Sequence, residues 1–332
     1  VLVNASITQS NLFGTGKELS ARFDNSSATT NFSVRYVNPY YTPEGISRGF
    51  SLFSTAVEAG ELDVAAYDTK TVGGGVFYGF PLSETNRLNL GVDAESIEIE
   101  TTSTSAQVAQ DFVAREGSPV KLLKSTLSWS SDSLDSTLFP TRGGLQRISA
   151  EVSVPGSDIE YYKLTYIAGR YWPITETMSF KLRGEIGYGN GYGDTDQLPF
   201  FKNYFAGGSS TVRGYESRSL GPVDQNSQNP IGGDRRALVS AELLFPVPGA
   251  ADNKSLRMGL FVDGGMVYGY TRTDGQLRRD KFDLGELRYS AGLAFNWFSP
   301  VGPLSFSLAS PLNAKPDDKP EGFQFTLGVP FR

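Results

Sequence analysis

Thr211-Val212-Arg213-Gly214-Tyr215 sets an arginine between an apolar residue and a glycine, behind the pair Gly207-Gly208. A guanidinium offers a rigid fork of donors that matches a carboxylate two bonds at a time. The glycines permit the tight backbone that would bring such a fork inward. The motif lies in a polar stretch over residues 190–234, far longer than an ordinary connection. The chemistry on offer is recognition and bracing, with no nucleophile in view.

Composition narrows the function classes. The 332 residues include no Cys and no His. Disulfides, thiol nucleophiles, the usual zinc sites and histidine acid–base catalysis are excluded, and no cofactor is expected. A net charge of −6 gives a nucleic-acid partner no bulk attraction. No apolar run approaches the length of a transmembrane helix. A mean hydropathy of −0.26 fits a soluble protein, and equally a membrane barrel in which only alternate residues meet lipid.

The elements that must carry the motif alternate with period two. Leu88, Leu90, Val92 and Ala94 interleave with Asn89, Gly91 and Asp93. Phe180, Leu182 and Ile186 interleave with Lys181, Arg183, Glu185 and Gly187. Tyr289, Ala291, Leu293, Phe295 and Trp297 do the same further on. Strand segments centre near residues 5, 21, 33, 53, 75, 94, 127, 149, 165, 183, 240, 261, 292, 306 and 327. No segment reads convincingly as a helix.

A soluble sandwich and a membrane barrel both alternate in this way. Two details favour the barrel. Many strands approach the ~9–11 residues that cross a bilayer at a tilt, against ~5–6 in soluble sheets. Connections also alternate: short near residues 13–16, 38–45, 81–86, 139–144, 173–177, 246–253 and 299–302, long near 59–69, 101–121, 190–234, 271–284 and 313–322. Outer-membrane barrels have short periplasmic turns and long outer loops. The expected fold is all-β, one transmembrane antiparallel barrel over residues 1–332 with about fifteen strands. Such barrels have even strand numbers, so one ascending strand is expected upstream of Val1, the alternative being a strand hidden in residues 101–121.

Strand parity then supplies partners for the arginine. Leu256, Met258, Leu260 and Val262 take the lipid face, which turns Asp263 into the lumen. Ala237, Val239, Ala241, Leu243 and Phe245 do the same one strand earlier and turn Glu242 inward. Arg213 either stays solvated on its loop or folds in to meet both carboxylates.

At these residues the chain resembles the BamA family of outer-membrane β-barrel assembly factors. The resemblance runs through Gly207-Gly208, Thr211–Tyr215, Ser219-Leu220-Gly221-Pro222, Phe261–Val267, Trp297–Leu304 and Phe323-Gln324-Phe325. It implies a barrel of the sixteen-stranded type whose long outer loop tucks into the lumen, with Arg213 on Glu242 and Asp263. It further implies periplasmic POTRA repeats, which this sequence does not contain. Two departures stand out: Arg332 follows Phe331 where the family usually ends on an aromatic, and the loop lacks the Cys pair of some relatives.

The last strand is the second candidate site. Phe323, Phe325, Leu327, Val329 and Phe331 alternate, with Gly328 and Pro330 interrupting them. A poorly paired closing strand invites another strand to add by backbone hydrogen bonding. The resemblance implies a lateral gate there, between first and last strands. The function it implies is insertion and folding of β-barrel proteins into the bacterial outer membrane. Its partners are unfolded barrel clients, accessory assembly lipoproteins held mostly by POTRA repeats, and outer-membrane lipid and lipopolysaccharide. The Arg213 loop would brace the wall opposite the gate, and no covalent bond changes. The alternatives are a TamA-like factor or two-partner secretion transporter, or, in a different class, a passive diffusion porin.

Overall fold

The computed structural model describes the whole chain except residues 1–2, 27, 59–66, 104, 138, 225–228, 250–254, 274–275, 280–281, 301 and 328–332. A single 15-stranded sheet dominates it. Its first half comprises β1 (Val3–Gln9), β2 (Glu18–Asn25), β3 (Thr29–Asn38), β4 (Ser47–Glu58), β5 (Asp68–Pro81), β6 (Asn86–Glu100) and β7 (Val120–Asp132). It continues with β8 (Gly143–Ser153), β9 (Tyr161–Pro173), β10 (Ser179–Gly191), β11 (Arg235–Phe245) and β12 (Leu256–Tyr268). A small hairpin, β13 (Tyr270–Thr273) and β14 (Gln276–Arg279), stands apart, and β15 (Arg288–Ser299), β16 (Gly302–Pro311) and β17 (Phe323–Leu327) complete the sheet. Every pairing is antiparallel and follows chain order, skipping only the hairpin. All of the expected strand centres fall within these strands.

Exposure separates the two faces residue by residue. Val262 is 50% exposed and its neighbour Asp263 1%. Leu182, Ile186, Val239, Leu260 and Leu293 are likewise exposed on the outer face. A belt of exposed leucine, valine and phenylalanine is stable only against lipid, so the sheet is the wall of a transmembrane barrel. The inner face is not uniformly polar: Leu238, Leu244 and Phe261 are buried there.

Contacts between distant strands show that the sheet curls. Arg257 of β12 donates through Nη1 to the Pro140 carbonyl, in the turn between β7 and β8, at 3.2 Å. The loop between β10 and β11 touches β8 and β9 at one end and β17 at the other. The short-and-long alternation of connections has two exceptions on the outer side, where β2 meets β3 and β8 meets β9 within a few residues.

The structure also contains a helix, contrary to the all-strand expectation. α1 (Gln107–Glu116) fills the loop between β6 and β7. It has no side-chain N-cap bond, and only Ala109 and Phe112 are buried. Tertiary packing holds it: it joins Ile97, Ile99, Val120, Leu122 and Phe200 in one apolar cluster. Phe112 meets Phe200 and Phe201 edge-on at 5.3 and 5.6 Å between ring centroids. Tyr67, in the loop just before β5, packs on Phe200 at 4.7 Å, and burial pushes its phenol pKa up to about 12. This cluster caps the outer end of the lumen.

Candidate functional site

The arginine motif sits at the tip of a tight turn within the long loop. Gly208 holds φ at 95° and Gly214 at 91°, values that an L side chain rarely adopts. The Gly208 N–H donates to the Tyr215 carbonyl at 2.9 Å, and the Leu220 N–H to the Ala206 carbonyl at 3.0 Å. Gly207 turns alongside, its carbonyl accepting from Thr211 Oγ1 at 2.8 Å.

The tip reaches the barrel wall. Arg213 Nε donates to Asp263 Oδ2 at 2.7 Å and Nη2 to Oδ1 at 2.8 Å, so the carboxylate is held two-handed. The Arg213 backbone N–H adds a bond to the same Oδ2 at 3.1 Å. Nη1 reaches Glu242 Oε1 and Nη2 reaches Ser240 Oγ, each at 3.3 Å. Ser240 Oγ in turn donates to Asp263 Oδ1 at 2.6 Å. The guanidinium also lies over the Phe261 ring, 3.4 Å from its centroid, in cation–π contact.

Register explains the convergence. Ser240 faces Asp263 across β11 and β12, and Glu242 faces Phe261. Directly opposed residues share a face, so these four side chains form two adjacent luminal rows. Lys181 of β10 extends the Glu242 row, its Nζ 3.8 Å from Oε2. One cation from the loop and one from the wall therefore face two acids, and the charges balance locally.

The other motif residues are seated in the wall. Val212 is fully buried with Leu238, Val267, Leu220 and Ala206. Gly265 leaves room for it: a Cβ there would lie 2.5 Å from Val212 Cγ2. Gly214 lies flat on β15 and β16, where a Cβ would stand 3.2 Å from that of Ala309 and 3.3 Å from that of Ser290. Tyr215 is fully buried and donates to the Tyr289 carbonyl at 3.2 Å. The motif thus touches β11, β12, β15 and β16. The expectation that the Arg213 lock braces the wall opposite the gate is corrected: the motif grips the wall that ends in β17.

A second anchor was not foreseen. Earlier in the same loop, Lys202 pairs with Glu151 of β8 at 3.1 Å, and its carbonyl accepts from Lys163 Nζ of β9 at 2.6 Å. The Tyr204 hydroxyl bonds Thr165 at 2.8 Å, and Arg236 donates to the Phe205 carbonyl at 2.8 Å. An ion pair between Lys124 and Glu95 adjoins this group. Nothing in the spacing of these charges named Lys202 as the partner of Glu151.

At the end of the sheet, Phe323, Phe325 and Leu327 are exposed on the outer face of β17. Phe325 packs against Phe306 of β16 at 5.0 Å between centroids. Gln324, which the parity pattern did not single out, faces the lumen and is buried. Among the described residues β17 pairs only with β16 and β1 only with β2, so these two are the sheet's edges. Gly328, Val329 and Phe331 of the expected gate lie outside the described residues.

Residues 11–331 match the Omp85 superfamily domain. The outer membrane protein assembly factor BamA of Neisseria meningitidis is 37% identical, covering 100% of this chain and 45% of its own. BamA of Nitratidesulfovibrio vulgaris is 25% identical, over 98% of this chain and 39% of its own. The chain thus spans less than half the length of these relatives. The crystal structure of BamA from Haemophilus ducreyi lacking POTRA domains 1–3 superposes with a TM-score of 0.87 at 29% identity, covering 97% of this chain and 66% of that one. CdiB from Escherichia coli shares the fold at a TM-score of 0.60 and 15% identity, over 98% and 58% of the two chains. The chain is an outer-membrane β-barrel domain and belongs to the Omp85 superfamily.

Proposed function

We propose that this barrel inserts and folds other β-barrel proteins into the bacterial outer membrane, using the edge of its last strand. The observation that carries this reading is β17 itself. Among the described residues it is five residues long and pairs on one side only, and its outer face carries Phe323 and Phe325. A strand entering lipid must satisfy its backbone at every step, because each unpaired group costs several kcal/mol there. An open edge at membrane depth supplies those partners by β-augmentation. No bond is made or broken, so the work is templating rather than catalysis. Similarity to proteins named assembly factors supports the same reading.

The partners are then unfolded outer-membrane β-barrel clients. Accessory assembly lipoproteins, outer-membrane lipid and lipopolysaccharide complete the proposed surroundings.

These 332 residues have no cysteine, so single-cysteine variants carry no background from the barrel. Leu327→Cys in the full-length protein, in liposomes with a cysteine-bearing client strand, should cross-link during assembly. Leu182→Cys, outward on β10, should not. Assembly that proceeds with no cross-link at position 327, or with equal cross-links at both, overturns the edge reading. Large steady conductance with no client assembly would instead indicate a porin.

A further inference from the structure

We propose that Gln324 is a positioning residue that ties the Arg213 loop to the last strand, so that the loop controls how freely β17 leaves its place. The proposal deepens the reading of β17 as the working edge and rests on it. Gln324 is 5% exposed and sits inside the barrel between outward Phe323 and Phe325. Its carboxamide clasps the loop tip from both sides. Oε1 accepts from the Gly214 N–H at 3.4 Å, and Nε2 donates to the Tyr215 carbonyl at 2.7 Å. Nε2 also donates to Glu321 Oε2 at 2.8 Å.

Only an amide of this length fits the task. The site asks for one acceptor and two donors on one planar group. A glutamate would set a carboxylate against the Tyr215 carbonyl and the Glu321 carboxylate. An asparagine would fall short by one methylene.

The backbone just ahead of β17 joins the same clasp. The Glu321 N–H donates to the Gly214 carbonyl at 2.9 Å, and the Glu216 N–H to the Lys319 carbonyl at 2.8 Å. Tyr215 and Pro320 form an isolated antiparallel bridge between these bonds. Arg213 grips β11 and β12, and the next two residues grip the lead-in and second residue of β17. Two groups of bonds on adjacent residues cannot move independently. A client that displaces or bends β17 therefore has to release Gln324 or pull the arginine off Asp263.

The test uses the full-length protein in liposomes without any client, followed by amide exchange on peptides from β17 and β12. Gln324→Ala should speed exchange over residues 323–327 by about tenfold and leave β12 unchanged. Gln324→Glu, nearly isosteric, should do the same, and it stands in if the alanine variant does not fold. Thr326→Ala, on the same strand and face, should change little. Arg213→Ala should also speed β17, but by less in a Gln324→Ala background, because the side-chain part of the tie is already cut. Unchanged exchange at β17, equal acceleration at β12, or full additivity of the two substitutions overturns the proposal. The outcomes separate from the insertase reading: failure to assemble clients with the exchange pattern intact sinks the insertase and keeps the tie, and the converse result does the reverse.

Discussion

Asp263 receives three hydrogen bonds from a single residue: the Nε and Nη2 groups of Arg213 at 2.7 and 2.8 Å, and its backbone N–H at 3.1 Å. One strand carboxylate therefore fixes both the side chain and the main chain of the loop tip. Glu242 accepts one longer bond from the same guanidinium and has Lys181 as a second cation. The two acids are not equivalent.

Asp263→Ala should accordingly destabilise the barrel more than Glu242→Gln. Removing one partner of a buried pair leaves the other charge stranded, at a cost of about 3–5 kcal/mol. Loss of one long hydrogen bond from a group that keeps other partners costs about 1 kcal/mol. Urea unfolding of the reconstituted barrel measures both. Arg213→Lys should behave nearly as badly as Asp263→Ala, since a lysine cannot span both carboxylate oxygens.

Gly265→Ala should push the loop off the wall. The added methyl meets Val212 Cγ2 at 2.5 Å and Leu238 Cδ2 at 2.6 Å. Overpacking of this kind costs about 1–3 kcal/mol. Val212→Ala removes the first of those contacts, so the double substitution should be less harmful than the sum of the two single ones. Strict additivity in the same unfolding assay would show that the two positions do not share a packing site.

Lys202→Met should loosen the other end of the loop. The substitution keeps the aliphatic bulk and deletes the charge that meets Glu151 at 3.1 Å. Added protease should nick residues 192–234 of the folded barrel about tenfold faster, through local opening. The Arg213 contacts should persist, because they rest on other strands. Global unfolding at lower urea with no change in nicking would count against a local anchor.

Asp135 gives a pH test outside the strands. Partial burial raises its pKa, but hydrogen bonds from Thr141 Oγ1 at 2.6 Å, Thr141 N–H at 2.9 Å and Arg142 N–H at 3.2 Å outweigh this and hold it below the ordinary 3.8. A depressed carboxyl pKa adds stability above the unfolded value and loses it as pH falls through the folded one. Stability of the turn between β7 and β8 should fall as acid is added below about pH 4. Asp135→Asn should flatten that part of the profile, as measured by amide exchange in the turn.

The wall was legible in the sequence because lipid and lumen impose opposite chemistry on successive residues. That rule placed Asp263 and Glu242 inside and Val262 and Val239 outside, and it needed no knowledge of tertiary contacts. α1 was hidden because its apolar stripe, Val108, Ala109, Phe112 and Val113, is short, and its partners, such as Ile97 and Phe200, come from elsewhere in the chain. The β13–β14 hairpin had a usable signal in Asp274-Gly275, a pair suited to a two-residue turn. Lys202 and Gln324 carried none. Each is a polar residue whose partner is fixed by how the loop crosses the lumen, and strand periodicity says nothing of that path.

The two anchors of the loop bear on leakage. An envelope protein that opens sideways into lipid has to avoid opening end to end. Here the sealing element is fastened to β8 and β9 by Lys202 and Tyr204 and to β12 by Arg213, so it straddles the lumen. A strand added along the free edge of β17 leaves those fastenings in place. Ions would then meet the same obstruction during insertion as at rest, and lateral passage of a polypeptide would be separated from passage of solutes across the membrane.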